Sequence, residues 1–382
     1  MIICEKEIEQ MLKALKGEGK IYCFGAGDFG KKFLKDAECG ELVKHVKAFA
    51  DNDIKKNGKS LSNTEYSYPI ISLECLLNDI RDQDIIIITC KNYMPILEQL
   101  IQIKKLNSVN CYVYTMVKDY CYDKQVEKIF CPDEFKLISE PIIPKVIHYC
   151  WFGGNKLTER HLKCLESWKI YCPDYEIIEW NEQNYDIHKN KFVEQAYQAK
   201  KWAFVSDYAR LDIIFHHGGV YLDTDVEIIK PIDELLFQEA FCGFQNESEI
   251  NFGLGFGSVK NNEIIKKIMK RYLNMNFFRQ DGTMDLTPCP VIQSSILQEC
   301  GAHLDGTYQV LPNITVYPEK VLSGKSQKTR RIHITEQTYA IHHFDASWME
   351  QNDYTHRKLR DQQIEKYFKM LNASNGESLW NI

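Results

Sequence analysis

Apolar residues fall along this chain in two kinds of block. Short continuous runs at 20–24 (Lys-Ile-Tyr-Cys-Phe), 46–50, 84–89 (Asp-Ile-Ile-Ile-Ile-Thr) and 111–115 read as buried strands. Amphipathic stretches at 8–15, 30–34, 73–80 and 95–104 alternate with them and read as helices. That order predicts a small parallel sheet covered by helices. Between about 118 and 144 the periodicity is lost and Pro132, Pro141 and Pro144 gather, the composition expected at a domain boundary. Alternation then resumes with a strand from 145 to 151, a helix at 159–171, a strand at 175–180, helices within 191–217 and a strand at 219–229. Two further strands are expected within 241–259, then helices at 262–273 and 291–300. The last third is irregular, with strand-like pieces at 308–311, 331–334 and 338–343, and no internal repeat is visible. The pattern predicts an α/β protein with a small parallel-sheet domain over 1–120, a linker over 121–143 and a second α/β domain over 144–382.

Composition agrees with two domains: 382 residues can give each a core of its own. With 44% apolar and 26% charged residues the chain is ordinary globular material. A net charge of -6 gives no general basic footprint, so nucleic acid is not an expected partner. An anionic ligand must then be held by local devices such as a metal ion or a helix N-terminus. The 14 cysteines are scattered, many of them inside apolar strands, and form no Cys-x-x-Cys pair. Reduced, buried thiols are expected, with neither disulfides nor a structural zinc site. The first residues reach charges too soon for a signal peptide, and no apolar stretch approaches the ~18 residues that span a bilayer. A cytoplasmic location is the expectation, and the sequons at Asn246, Asn313 and Asn372 are then chance matches.

Candidate chemistry gathers in 202–230. Asp223-Thr-Asp225 follows Gly218-Gly219 and sits among the strand formers Val220, Leu222, Val226, Ile228 and Ile229. Residues two apart in an extended strand share a face, so both acids can converge on one divalent cation if the pleat ends there. Hard oxygen ligands of this kind suit Mg²⁺ or Mn²⁺, which in turn hold phosphates. Two acids one residue apart are common by chance. The apolar context distinguishes this pair, because a buried carboxylate without a partner is costly or shifts its pKa. An EF-hand loop fails at Ile228, where its sixth position needs glycine.

Asp207 and Arg210 lie three apart on a predicted helix that is apolar nearly all round, so a solvated ion pair fits poorly there. An Asp and an Arg in such a place suit sugar hydroxyls and diphosphate oxygens. Trp151 opens the loop Trp-Phe-Gly153-Gly154 at the end of a strand, where open α/β sheets place ligands and where an exposed ring can stack on a base. His342 and His343 point to opposite faces of an extended segment, so at most one can join Asp223 and Asp225, and Ser347 and Trp348 beyond them could close over a diphosphate. In the first domain, Gly25-Ala-Gly27-Asp-Phe-Gly30 follows a strand and opens a helix, with Asp51 in the position of an acidic ribose ligand. These residues fit a nucleotide loop, and they fit equally a tight turn whose glycines serve packing alone. The first of these makes the chain, as an alternative, a nicotinamide-dependent nucleotide-sugar epimerase or reductase, although no hydride-transfer acid or base accompanies the loop.

Four blocks, Pro144-Lys-Val-Ile-His-Tyr-Cys-Trp-Phe-Gly-Gly154, Ser206-Asp-Tyr-Ala-Arg210, Gly218-Gly-Val-Tyr-Leu-Asp-Thr-Asp225 and His342-His-Phe-Asp-Ala-Ser-Trp348, resemble glycosyltransferase family 32, the DXD-motif sugar-binding transferases, and more distantly the glucosylating clostridial toxins. The resemblance covers 144–348 and implies a GT-A fold, a nucleotide-sugar donor with UDP-sugars favoured, Mn²⁺ or Mg²⁺, and transfer of a hexose with retention. It implies that Trp151 stacks on the base and that Gly153, Ser347 and Trp348 border the donor. It further implies that Asp207 and Arg210 contact sugar and ribose, that Asp223 contacts ribose and the metal shell, and that Asp225 and the His342 region ligate the metal. A saccharide or lipid-linked saccharide acceptor, capsular or surface polysaccharide synthesis, and peripheral association with the inner membrane face are the family-level expectations. The first domain lies outside this likeness and resembles the Rossmann-type nucleotide-sugar-binding module that precedes some sugar-modifying enzymes.

Overall fold

The computed structural model describes residues 1–15, 18–345 and 351–374. It divides into two units, Met1–Gln125 with Arg357–Ile382, and Val126–His356. The first runs β1 (Ile2–Ile3), α1 (Ile8–Ala14), β2 (Ile21–Phe24), α2 (Asp28–Lys35), α3 (Gly40–Val43), β3 (Val46–Ala50), β4 (Ser60–Ser62), β5 (Ser67–Ile71), α4 (Leu73–Asp79), β6 (Ile85–Ile88), α5 (Met94–Ile101), β7 (Asn110–Val113) and the start of α6 (Tyr114–Lys128). Its strands form one sheet in the order β1-β7-β6-β2-β3-β5-β4, parallel except for β4 against β5. Strands β2 and β6 are buried along their whole length, as continuous apolar runs require when helices cover both faces.

The turn after β2 is set by glycine. Gly25 has φ +116°, and a Cβ there would meet the Thr89 carbonyl oxygen at 2.7 Å; at Gly30 it would meet the Gly25 carbonyl oxygen at 2.6 Å. Gly27, the N-cap of α2, has nothing within 4 Å of such an atom.

Two stretches depart from the sequence expectation. Residues 121–128, expected to open a linker, continue helix α6, whose buried Met116, Val117 and Val126 are interspersed with charged residues on every side, leaving no clean amphipathic stripe. The C-terminal α13 (Gln351–Ser374) forms where the pattern appeared irregular, and from Arg357 on it belongs to the first unit, whereas the sequence alone assigns all of 144–382 to the second domain. Its Ile364, Tyr367 and Leu371 lie at helical spacing, and they pack into the cluster holding Tyr93, Leu97 and Leu100, with Tyr367 edge-on to Tyr93 at 6.0 Å.

The second unit runs β8 (Val146–Cys150), α7 (Glu159–Tyr171), β9 (Glu176–Trp180), α8 (Lys191–Gln198), α9 (Trp202–His217), β10 (Gly219–Tyr221), β11 (Val226–Ile228), β12 (Ala240–Gly243), β13 (Phe256–Ser258), α10 (Glu263–Leu273), α11 (Cys289–Glu299), β14 (Gln309–Leu311), β15 (Ile314–Tyr317), α12 (Glu319–Leu322) and β16 (Ala340–His342). A mixed sheet has the order β14-β15-β12-β13-β10-β8-β9, and β11 pairs antiparallel with β16 in a separate ribbon. The α/β expectation holds in both units. Residues 331–334 are not a strand; Ile332 makes only an isolated bridge with Lys325.

Helix α9 lies under the sheet with its apolar residues buried on nearly every side, from Phe204 through Ile214. Gly218 (φ +68°) ends it, and Gly219 (φ +98°) lets β10 press on β8, since a Cβ there would meet the Val146 carbonyl oxygen at 2.7 Å. On β8, His148 is 2% exposed. Its Nδ1 accepts from Trp180 Nε1 at 3.0 Å, which leaves Nε2 to donate to the Gly218 carbonyl at 3.0 Å and fixes the tautomer. Burial pushes this imidazole down to about 4. The 14 cysteines are all free thiols.

Candidate active site

The run expected as a single strand from 219 to 229 is broken by its acids. Strand β10 stays in the large sheet, Asp223-Thr224-Asp225 makes a turn in which Val226 N–H donates to the Asp223 carbonyl, and β11 leaves to pair with β16. Both carboxylates therefore stand at a seam between two sheets. Pairing of Val226 with His342 in the ribbon brings the imidazole beside them, and one atom each from Asp223, Asp225 and His342 lies within 4.8 Å of the others.

Alternation along the extended segment separates the two histidines. His342 Nε2 is 3.1 Å from Asp225 Oδ1, whereas His343 Nε2 is 2.9 Å from Glu227 Oε2. His342 is therefore the member of the acidic cluster. Its Nδ1 is buried and has no hydrogen-bond partner among the described residues.

Arg210 joins the acids to α9. Its Nη2 is 3.0 Å from Asp207 Oδ1 and 3.2 Å from Asp223 Oδ1, its Nε donates to the Ser206 carbonyl at 3.1 Å, and its guanidinium lies 5.2 Å over the Tyr221 ring. Three largely buried carboxylates, Asp207, Asp223 and Asp225, thus face one guanidinium and one imidazole. The carboxylates outnumber the cations, an excess of negative charge that a divalent cation would offset. Burial pushes Asp207 up to about 6 although Arg210 lies beside it. Burial raises Asp223 as well, with Arg210 pulling it back and the Asp225 charge adding to the rise. Burial works in the same sense on Asp225, but His342 and the Asp345 N–H outweigh it and hold that carboxyl well below the usual range.

Two carboxylates and an imidazole that converge within 4.8 Å of one another fit Mn²⁺ or Mg²⁺ as ligands, the imidazole favouring Mn²⁺.

Trp151 joins this cluster through a chain of contacts. Its ring stands edge-on to His161 at 5.0 Å, His161 Nε2 is 3.8 Å from Asp345 Oδ2, and Asp345 N–H donates to Asp225 Oδ2 at 2.8 Å. Arg160 Nη1 pairs with Asp345 Oδ1 at 2.7 Å. His161 itself is held by the capping box of α7, in which it and Thr158 bond reciprocally. The Trp151 ring is half-buried and donates to the Asn155 carbonyl at 2.6 Å. Gly153 N–H donates to Glu182 Oε1, and a Cβ at Gly153 would strike the Trp202 ring. Ser347 and Trp348 lie outside the described residues.

Several groups at the site carried no signal in the sequence. A Cβ at Gly253 would fall on the Asp223 carboxylate, and Cys289 Sγ lies 3.9 Å from Arg210 Nη1. Neither stands near the acids in the chain; only tertiary folding brings them there. Asp345 and Arg160 are half-legible: Asp345 lies inside the block that resembles the DXD transferases, but its partner on α7 does not.

In the first unit, Asp51 is held by its own neighbours. Its Oδ2 accepts from Ala26 N–H at 2.8 Å and from Lys56 Nζ at 2.9 Å, and its Oδ1 accepts from Asp53 N–H at 2.9 Å. Asp51 therefore ties the Gly25–Gly27 turn to the end of β3.

Curated relatives match through part of their length. The chain is 33% identical over 110 residues to inositol phosphoceramide mannosyltransferase 1 of Schizosaccharomyces pombe, covering 26% of this chain and 33% of that protein. It is 29% identical over 135 residues to the initiation-specific alpha-1,6-mannosyltransferase of Candida albicans, covering 32% and 33%. The chain thus spans about a third of the length of the curated relatives it matches. Among solved structures, the PaToxG glycosyltransferase aligns at 18% identity and a TM-score of 0.33, over 48% of this chain and 80% of that one. The segment that carries Asp207, Arg210, Asp223 and Asp225 lies within residues 158–242, which match the family model described as glycosyltransferase sugar-binding region containing DXD motif, and the match supports a transferase.

Proposed function

We propose that this chain is a metal-dependent, retaining glycosyltransferase of the GT-A kind that moves a hexose from a nucleoside-diphosphate sugar to a saccharide or lipid-linked saccharide acceptor. The convergence of Asp223, Asp225 and His342 carries this reading. A divalent ion held by these three would neutralise charge on the departing diphosphate. Arg210 is oriented by Asp207, Asp223 and the Ser206 carbonyl, so its guanidinium is preorganised to meet charge that develops as the bond to the anomeric carbon breaks. Trp151 offers a ring for the base, and Asp207 an acceptor for sugar hydroxyls.

Retention follows from departure and attack on one face of the sugar. The acids described at the site are engaged with Arg210, His342 or Arg160, which supports that route over a covalent glycosyl-carboxylate. UDP-sugars remain the favoured donors, with mannose as the transferred hexose suggested by the names of the relatives. Capsular or surface polysaccharide synthesis at the cytoplasmic membrane face is the setting we propose; no described helix is long and apolar enough to cross a membrane. For the first unit we propose a Rossmann-like module. From β2 the parallel strands β3 and β5 follow on one side and β6 and β7 on the other, with β1 added at the edge beyond β7, an order that supports that reading.

Thermal shift tests the class. UDP-sugars and GDP-sugars are added with and without Mn²⁺, beside NAD. We expect a rise in Tm that needs both metal and nucleotide sugar and vanishes in Asp225→Ala. A shift with NAD alone, or none with any metal–nucleotide pair, would overturn the proposal.

A further inference from the structure

The second unit contains a cavity of about 460 Å³ formed by Lys191 and Gln195 of α8 and by Asn276, Phe278, Arg279 and Gln280 of the loop between α10 and α11. No residue of the acidic site lines it. Its size lies within the range of roughly 300–1,000 Å³ that small-ligand sites occupy. The lining is cationic and rich in amides, with one aromatic ring. Gln195 Oε1 accepts from the N–H groups of Phe277 and Phe278 at 2.8 and 3.3 Å, which pins the side chain and leaves Nε2 as the end free to donate. Arg279 is braced by Asp285, Nη2 to Oδ1 at 3.1 Å, and Asp285 is itself held by the N–H and hydroxyl of Thr287. Lys191 is exposed at the rim with no ion-pair partner among the described residues.

The surroundings reinforce this charge. Residues 189–201 hold Lys189, Lys191, Lys200 and Lys201 against Glu194, and residues 260–288 hold Lys260, Lys266, Lys267, Lys270, Arg271 and Arg279 against Glu263, Asp281 and Asp285. Four less one and six less three give +3 in each stretch, in a chain whose total is -6. Helices α8 and α10 pack on each other and on α9, so these cations share one region of the surface. Such a field raises the local concentration of anions. The loop that lines the cavity also touches the helix that carries Asp207 and Arg210. The Phe277 ring is 5.2 Å from that of Phe204, one helical turn before Asp207, and the loop that lines the cavity ends at Cys289 beside Arg210.

We propose that this cavity is an acceptor subsite for an acidic saccharide unit, one bearing a carboxylate or a phosphate, next to the unit that receives the hexose. This rests on the transferase reading for its purpose, though not for the binding itself. Donors on Lys191, Gln195, Asn276, Arg279 and Gln280 converge on a ligand rich in acceptors, and Phe278 offers a face for a sugar ring. An anionic lipid surface would need the lysines but neither the concavity nor the pinned amide.

Calorimetric titration of the full chain, with no donor and no metal, tests the subsite. The probes are a glucuronate-bearing hyaluronan tetrasaccharide, the same tetrasaccharide with its carboxyls reduced to alcohols, and mannose 6-phosphate. We expect an acidic probe to bind about tenfold or more tighter than the neutral one, and Lys191→Ala and Arg279→Gln each to remove most of that preference. The stronger of the two acidic probes identifies the group as carboxylate or phosphate. Equal binding of acidic and neutral sugars, undiminished binding in both variants, or attachment to phosphatidylglycerol vesicles without oligosaccharide binding would overturn the proposal. Because donor turnover is read separately, loss of one reading leaves the other standing.

Discussion

Asp51 in the first unit and Asp225 in the second are both carboxylates beside glycine turns, and their neighbours set them apart. Asp51 accepts from Ala26 N–H, Asp53 N–H and Lys56, all close in space and matched in charge. Asp225 faces Asp223 and His342 in a group whose negative charges exceed its cations. A carboxylate whose partners come from its own turn stabilises that turn, whereas one set against another acid is held in place for something that arrives from outside. The same distinction applies to the glycines. Gly25 and Gly30 are required by packing, and only Gly27 leaves room for a ligand.

The strongest way to break this contrast is Asp225→Ala. We expect metal-dependent donor turnover to fall about 10³-fold, roughly 4 kcal/mol of transition-state stabilisation, while circular dichroism shows a folded chain. Asp51→Asn should leave turnover within a factor of about two, since it removes charge from a turn and from no reacting group. If the two variants lose turnover equally, the contrast fails.

Next in size is a pH effect that belongs to the fold of the second unit alone. His148 is neutral and pinned between Trp180 and Gly218, with its pKa pushed down to about 4. In the unfolded chain it titrates near 6.5, so between about 6.5 and 4 the unfolded state binds the extra proton. Stability present above about pH 6.5 is then lost as pH falls through that window, by about 3 kcal/mol in all. Urea titrations of wild type and His148→Gln at pH 7 and pH 4.5 should show a smaller pH dependence in the variant, although it is less stable at pH 7. An unchanged slope would remove His148 from the account.

Glycine replacements sharpen the contrast inside the first unit. Gly30→Ala places a methyl 2.6 Å from the Gly25 carbonyl oxygen and should cost about 2 kcal/mol, the overpacking cost less the gain in helix propensity. Gly27→Ala meets nothing within 4 Å and should cost about 1 kcal/mol or less, its N-cap preference being modest. Chemical denaturation separates the two. Equal losses would mean that the turn is not packed as described.

Much of this was legible from spacing. Helix α7 matches the expected 159–171, and the strands at 21–24, 46–50 and 85–88 lie inside the apolar runs that announced them. The site was legible where its residues share a short stretch of chain, as Asp207 with Arg210 and Asp223 with Asp225 do. Periodicity failed for α6, because charged residues surround that helix, and for the seam in 219–229. There two acids within strand-forming sequence gave no sign that the strand changes sheets. The choice of His342 over His343 could not be read without knowing which face of β16 meets β11. Gly253 and Cys289 reach the acids only through the tertiary fold.

The seam between β10 and β11 has a mechanical consequence. Asp223 follows the C-terminal end of β10, an interior strand of the large sheet, whereas Asp225 and His342 sit on a ribbon of two short strands that pair with each other. An ion gripped by all three would act as a rivet between the large sheet and the ribbon. Amide hydrogens of Val226 to Ile228 and Ala340 to His342 should then exchange far more slowly with Mn²⁺ present, well before any change in global melting is seen.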